Sequence, residues 1–209
     1  MCIGDSNLAG WNAAGYRTVQ FSFADAEFRG ASFGCGDGRL WGLRPIDTLA
    51  VILKRWRPDL QGMSTGWTPK YATLKKFPVQ CGLNAASSGA TITHLYNQAV
   101  ELVGKVNSTP LMHEWKVLTI QPGWGELAWE TGANGQIFAN WLYATLAVLQ
   151  AGLGKTFVNL LAVSERGDQF AVNQPGSTCA SPPSPACLCR HAPLSRDHNL
   201  GAERTDAPE

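Results

Sequence analysis

Ser6, in the stretch CIGDSNLAG at positions 2–10, has the residue type and setting of a nucleophile. A hydroxyl that directly follows a short apolar run would stand outside the carboxyl end of a parallel strand, where open α/β sheets hold their ligands. To attack an acyl ester, such a serine needs a base to take its proton and prepositioned donors for the oxyanion that forms. Gly-Asp-Ser alone is a weak signal, because a turn serine is the commoner occupant of that context. Its spacing also differs from the Gly-x-Ser-x-Gly elbow of α/β-hydrolases. His94 and His113 are more naturally surface or core histidines than the missing base, and Asp197 and His198 are adjacent in a polar tail.

The elements that must position Ser6 read as strands alternating with helices, the pattern of parallel strands joined by crossovers. Residues 1–3 form the stub of a first strand. Pro45 suits a first helical turn, and Ile46, Leu49, Ile52, Leu53 and Trp56 then recur on one face until Pro58 stops the run. A strand is expected over 77–83, then the small-residue turn AASSGA and a helix over about 92–106. A strand at 115–120 enters the Gly-rich turn QPGWGE. Asn134 can cap a helix carrying Ile137, Trp141, Leu142, Leu146 and Leu149. The apolar stretch 139–153 falls short of the roughly 20 residues a membrane span needs and reads as a buried helix. Residues 156–163 are apolar enough for a buried parallel strand. Beyond them CASPPSPACLC is rich in Pro and Cys, and residues 190–209 read as a flexible polar tail after a domain spanning 1–189.

The balance of 17 Lys plus Arg against 16 Asp plus Glu leaves a net charge of +1, which offers no field to hold nucleic acid or an anionic membrane. The 44% hydrophobic content of the 209 residues is that of one packed domain. The 6 cysteines do not decide between free thiols and disulfides by parity. Cys179, Cys187, Cys189 and His191 lack the usual spacing of a structural zinc site, so no metal is expected. GLGKT at 152–156 resembles the end of a phosphate-binding loop, but Leu149 occupies the first required glycine. No basic and apolar leader precedes Ser6 in this chain.

Several segments taken in order carry a resemblance. GDSNLAG resembles the GDSL block that opens SGNH hydrolases, with Asn7 where that superfamily usually has Leu. FRGASFGCGD at 28–37, LKRWRPDLQGMSTG at 53–66, LNAASSGA at 83–90, EWKVLTI at 114–120 and KTFVNLLAV at 155–163 are similar to the phospholipase B branch. The similarity covers about residues 3–189. It implies a three-layer, flavodoxin-like parallel sheet with flanking helices, here expected to be cut short at both ends. It also implies an ester hydrolase that uses no cofactor, acts on lipid esters and meets a membrane or micelle only through its substrate. A secretory or extracellular location with disulfides follows from the same resemblance.

By that resemblance Ser6 is the nucleophile, and the backbone N–H groups of Ser6 and Gly89 are two of the three oxyanion donors. The third block departs from the pattern. PGWGEL aligned with the superfamily's Gly-Gly-Asn-Asp-Leu puts Gly125 on the asparagine and Glu126 on the aspartate, so the side-chain donor is absent and Gly125 offers only a backbone N–H. Losing one such donor typically slows catalysis about 10²–10³-fold. The superfamily's closing Asp-x-x-His block is missing as well, since no aspartate here has a histidine three residues later. Little or no labelling of Ser6 by a serine-directed probe is therefore expected.

Overall fold

A computed structural model describes residues 1–11, 13, 26–39, 44–122 and 135–161, all within the compact unit Met1–Val163. The expected domain end at 189 and the tail at 190–209 lie outside the described residues.

Three parallel strands form the central sheet in the order β1 (Cys2–Gly4), β4 (Lys116–Gln121), β5 (Thr156–Leu160). The register pairs Cys2 with Thr119 and Lys116 with Thr156. The helices α2 (Leu49–Trp56), α3 (Pro78–Cys81) and α4 (Ile92–Asn107) lie between β1 and β4 in the chain, and α5 (Gly135–Gly152) lies between β4 and β5. The protein is thus an α/β fold with a parallel sheet and flanking helices, as the alternating pattern predicts. A short antiparallel ribbon, β2 (Ala26–Glu27) with β3 (Thr68–Pro69), stands apart from this sheet.

The core is built where apolar periodicity and strand alternation meet. Leu118 and Ile120 of β4 are fully buried against Leu95, Ala99, Leu102 and Val106 of α4, with Leu149 of α5 completing the cluster. Full burial of one such aliphatic side chain contributes about 1.5–3 kcal/mol. Thr91 caps α4 in a reciprocal box, its side chain engaging the third helical residue, His94, while the His94 ring accepts from the Thr91 N–H. At the far end of α5, a methyl group on Gly152 would fall 2.4 Å from Val103 Cγ1, so this helix closes on α4 because the residue has no side chain.

Four local expectations are corrected. The strand expected over 77–83 is instead the short helix α3, with Pro78 at its first turn and Gly82 at φ +56° ending it. The segment shares the core with the sheet residues Ile3, Leu118 and Ile120 through Cys81 and Leu83, and the residue after it, Asn84, makes one parallel bridge to Cys2. Helix α2 starts at Leu49 rather than at Pro45, because buried Thr48 accepts from the Val51 N–H and donates to Gly36 O, fixing the cap there. Its buried residue is Ala50, whereas Trp56 is 80% exposed. Helix α5 is not a buried helix: only Thr145 and Leu149 are buried along it, and Ile137 and Trp141 are exposed. Strand β5 is parallel as expected but not buried: Phe157 is 65% exposed, and among the described residues the strand pairs with β4 only. Asn134 lies outside the described residues.

Candidate active site

Strand β1 ends at Gly4, and the chain turns at once into the single-turn helix α1 (Ser6–Ala9). Asp5 makes that turn possible by capping it, its Oδ1 accepting from the Asn7 N–H at 2.9 Å. Half-buried Ser6 is therefore the first helical residue past the carboxyl end of a parallel strand. Gly10, at φ +80°, closes the turn. A methyl group there would fall 2.3 Å from Phe28 O, so only glycine fits.

The glycine turn of residues 87–90 hangs on the same strand end. Gly4 O accepts from the Ser87 N–H at 3.1 Å, and Cys2 exchanges backbone hydrogen bonds with Leu83 and Ala85 on either side of the Asn84 bridge. The Ala90 N–H donates to Ser87 O, and Gly89 sits between them at φ +74°, a conformation open to glycine and strained for most other residues. Ser6 and Gly89 thus follow one strand and a segment bridged to its edge. Gly125 lies outside the described residues.

Buried polar side chains brace this end of the sheet. Gln98, from the inner face of α4, grips Gly4 twice: its Oε1 accepts from the Gly4 N–H at 2.7 Å and its Nε2 donates to Gly4 O at 2.9 Å. Asn84 Nδ2 and Ser32 Oγ both donate to Leu8 O, holding the far end of α1. Beneath the glycine turn lies a fully buried ion pair, Arg29 Nη2 to Glu27 Oε2 at 2.5 Å. Arg29 Nη1 also donates to Ala86 O at 2.7 Å, and the second Glu27 oxygen accepts from the Ser88 N–H at 2.7 Å. One carboxylate therefore sets the Ser87–Ser88 peptide, one unit before the peptide that carries the Gly89 N–H. A disulfide from Cys2 to Cys35 ties β1 to the loop after the Arg29–Ala31 turn. Cys81 is a free buried thiol whose ionisation is pushed up by desolvation, so it is chemically quiet.

The lip of the site carries aromatic residues and a cation. The Trp11 N–H donates to Ser6 O at 2.9 Å, and Lys70 Nζ lies 5.8 Å from the Trp11 ring and 5.1 Å from the Tyr71 ring. Tyr71 adopts φ +64°, a left-handed backbone that costs a bulky residue about 1–3 kcal/mol.

The histidines do not complete a triad among the described residues. His94 Nδ1 is engaged by the cap of α4, and no hydrogen bond links it to Ser6. His113 precedes β4 and so lies at the amino end of the sheet, opposite to Ser6. His191 and His198, like Cys179, Cys187 and Cys189, lie outside the described residues. No group of residues that could hold a metal ion is found among the described residues. Sequence reading missed Gln98, the Glu27–Arg29 pair, the Cys2–Cys35 pairing and the cluster of Trp11, Lys70 and Tyr71. The usable signal was charge inside an apolar setting, since Glu27 and Arg29 flank Phe28.

The fold and this geometry define an α/β protein with a serine turn and a glycine turn joined at the carboxyl end of its parallel sheet. The chain is similar to the membrane-associated phospholipase B1 proteins. It is 30% identical to that of Rattus norvegicus over 200 residues, 91% of this chain and 13% of the rat protein. The Mus musculus protein is 31% identical over 179 residues, 81% of this chain and 11% of its own length. The Homo sapiens protein is 30% identical over 170 residues, 78% of this chain and 11% of its own length. The chain therefore spans about an eighth or less of these relatives. No protein-family model and no solved structure matches it. Among the described residues no helix is long and apolar enough to cross a membrane.

Proposed function

We propose that the chain is a serine ester hydrolase of the phospholipase B type, within the SGNH/GDSL superfamily, that cleaves phospholipid, lysophospholipid or other lipid esters through an acyl-enzyme on Ser6. The observation that carries this reading is the attachment of the Gly89 turn to the strand that ends at Ser6, in a chain 30% identical to rat phospholipase B1 over 91% of its length. Ser6 Oγ attacks the acyl carbonyl carbon, and its proton passes through solvent water to the departing alkoxide oxygen, which leaves as the alcohol. The backbone N–H groups of Ser6 and Gly89 stabilise the oxyanion, and Gly125 offers a backbone N–H in place of the superfamily's asparagine. Collapse expels the alcohol, and water then releases the fatty acid and restores Ser6. Residues 1–189 form the hydrolase-like domain in this reading and 190–209 its tail. The chain meets a membrane or micelle through its substrate and takes no nucleic acid partner. The Cys2–Cys35 disulfide supports an oxidising, secretory or extracellular setting.

A second reading is favoured by the glycine at position 125 and the lack of an Asp-x-x-His block: the chain keeps the fold and binds lipid or a protein partner without turnover. Incubating the purified chain with a fluorophosphonate probe, beside Ser6→Ala, separates the two. Labelling that disappears in Ser6→Ala supports the hydrolase. Folded protein that stays unlabelled overturns it in favour of the second reading.

A further inference from the structure

Half-buried Gln121 ends β4 beside the point where β1 ends, paired in register with Gly4. Adjacent strands lie roughly 4.8 Å apart, so Gln121 stands next to the strand residue that leads into the Ser6 turn. Alternation along β4 decides on which side its side chain leaves the sheet. Leu118 and Ile120 face the α4 core, so Gln121 leaves on the opposite side, where Leu8 and Ala9 of α1 pack with Cys2. The absence of a side chain at Gly4 keeps that path open: a methyl group there would fall 3.2 Å from Leu8 Cδ2 and 3.4 Å from Gln121 Cβ. The carboxamide of Gln121 therefore rises alongside the nucleophile turn. Its Oε1 is buried without a hydrogen-bond partner, and its Nε2 has none among the described residues. A buried amide oxygen without a donor costs about 1–3 kcal/mol, so its retention calls for a reason other than stability. With the oxygen turned inward, the Nε2 end is the one presented to the opening above β1 and β4.

We propose that Gln121 is a catalytic residue whose Nε2–H donates to the oxyanion formed on the acyl group. This rests on the reading of Ser6 and Gly89 as the ester-cleaving pair. Among the described residues that pair supplies only backbone donors. The Asn84 segment that leads to Gly89 bridges β1 on one edge, and β4 pairs with β1 on the other. Gln121 therefore approaches Ser6 from the flank opposite to Gly89. Donors that converge from two flanks on one point above the end of β1 hold developing charge without reorganising. The neutral amide donates without giving up its proton, so the need for a base at Ser6 is unchanged. An internal partner for Nε2 would stabilise the resting protein and withdraw the donor from the substrate.

The test measures the rate of fluorophosphonate labelling at Ser6, in which the phosphoryl oxygen takes the place of the oxyanion, beside the urea midpoint of each protein. Gln121→Met keeps the length of the side chain and removes the donor. Its labelling is expected to be about 10²–10³-fold slower than that of the wild type. Its urea midpoint is expected to hold or rise, because a buried oxygen without a partner has been removed. A merely structural glutamine would behave differently, with the midpoint falling alongside the rate, and that result overturns the assignment. An unchanged labelling rate in folded Gln121→Met overturns it as well. Folded wild type that stays unlabelled fails the Ser6 reading and takes this assignment with it, so the two failures are told apart by which protein does not respond.

Discussion

The carboxyl end of β1 and the outer edge of the sheet at β5 are built by opposite means. Around β1 the backbone is held by buried polar side chains reaching in from far along the chain: Gln98 on Gly4, Asn84 and Ser32 on Leu8, Arg29 on Ala86 and Glu27 on Ser88. At β5 the strand pairs, among the described residues, with β4 alone, and Phe157, Val158 and Leu160 are exposed. Buried polar contacts cost desolvation and return little net stability, whereas apolar packing would have been the cheaper way to hold β1. They do hold peptide groups in set orientations, which the oxyanion site proposed above requires and a sheet edge does not. The braced region is therefore the one where geometry matters.

The comparison breaks most readily at the ion pair. Glu27→Gln leaves Arg29 charged and wholly buried, and the expected loss is about 3–5 kcal/mol, read as a fall in the urea midpoint at constant slope. Glu27→Gln with Arg29→Met should lose less than the two single losses added, because the stranded charge is gone. Additive losses would show that the pair braces nothing jointly. Replacing both Cys2 and Cys35 by alanine opens a link between residues 33 apart, and chain entropy puts that loss at about 3–4 kcal/mol. Gln98→Leu keeps the volume but strands the Gly4 N–H, while Gly4 O keeps its bond from Ser87. The expected loss is about 1–3 kcal/mol in the same urea measurement.

How much of this was legible follows from where each instruction is stored. Strands β1, β4 and β5 and helix α4 could be read because their apolar spacing is local, and the turns that carry Ser6 and Gly89 because each sits in a short block of small residues. Helix α3 was misread because Phe77, Val79, Cys81 and Leu83 alternate like a strand, while the backbone there answers to Pro78 and Gly82. Burial of β5 was misjudged because a strand's own residues do not say whether anything covers it. The braces were invisible because each joins distant positions: 94 residues separate Gln98 from Gly4, and 61 separate Ser88 from Glu27.

A smaller effect comes from Cys81, whose buried thiol ionises at higher pH than when unfolded. As pH rises past the ordinary thiol range, the unfolded chain gives up that proton first, so this residue makes stability fall with alkalinity. Cys81→Ala should flatten that slope in urea midpoints taken across the alkaline range, and an unchanged slope would assign it to other groups.

The least effect is expected at the outer edge. Phe157→Thr puts a β-branched residue of good strand propensity in β5 while removing an exposed ring, so stability should move by no more than about 0.5 kcal/mol. Aggregation on heating should fall, because an exposed apolar edge strand is a template for pairing with other chains. A loss well above 1 kcal/mol would mean that the ring is covered in solution. The edge would then be held by packing, and the contrast with β1 would reduce to polar bracing at one end and apolar bracing at the other.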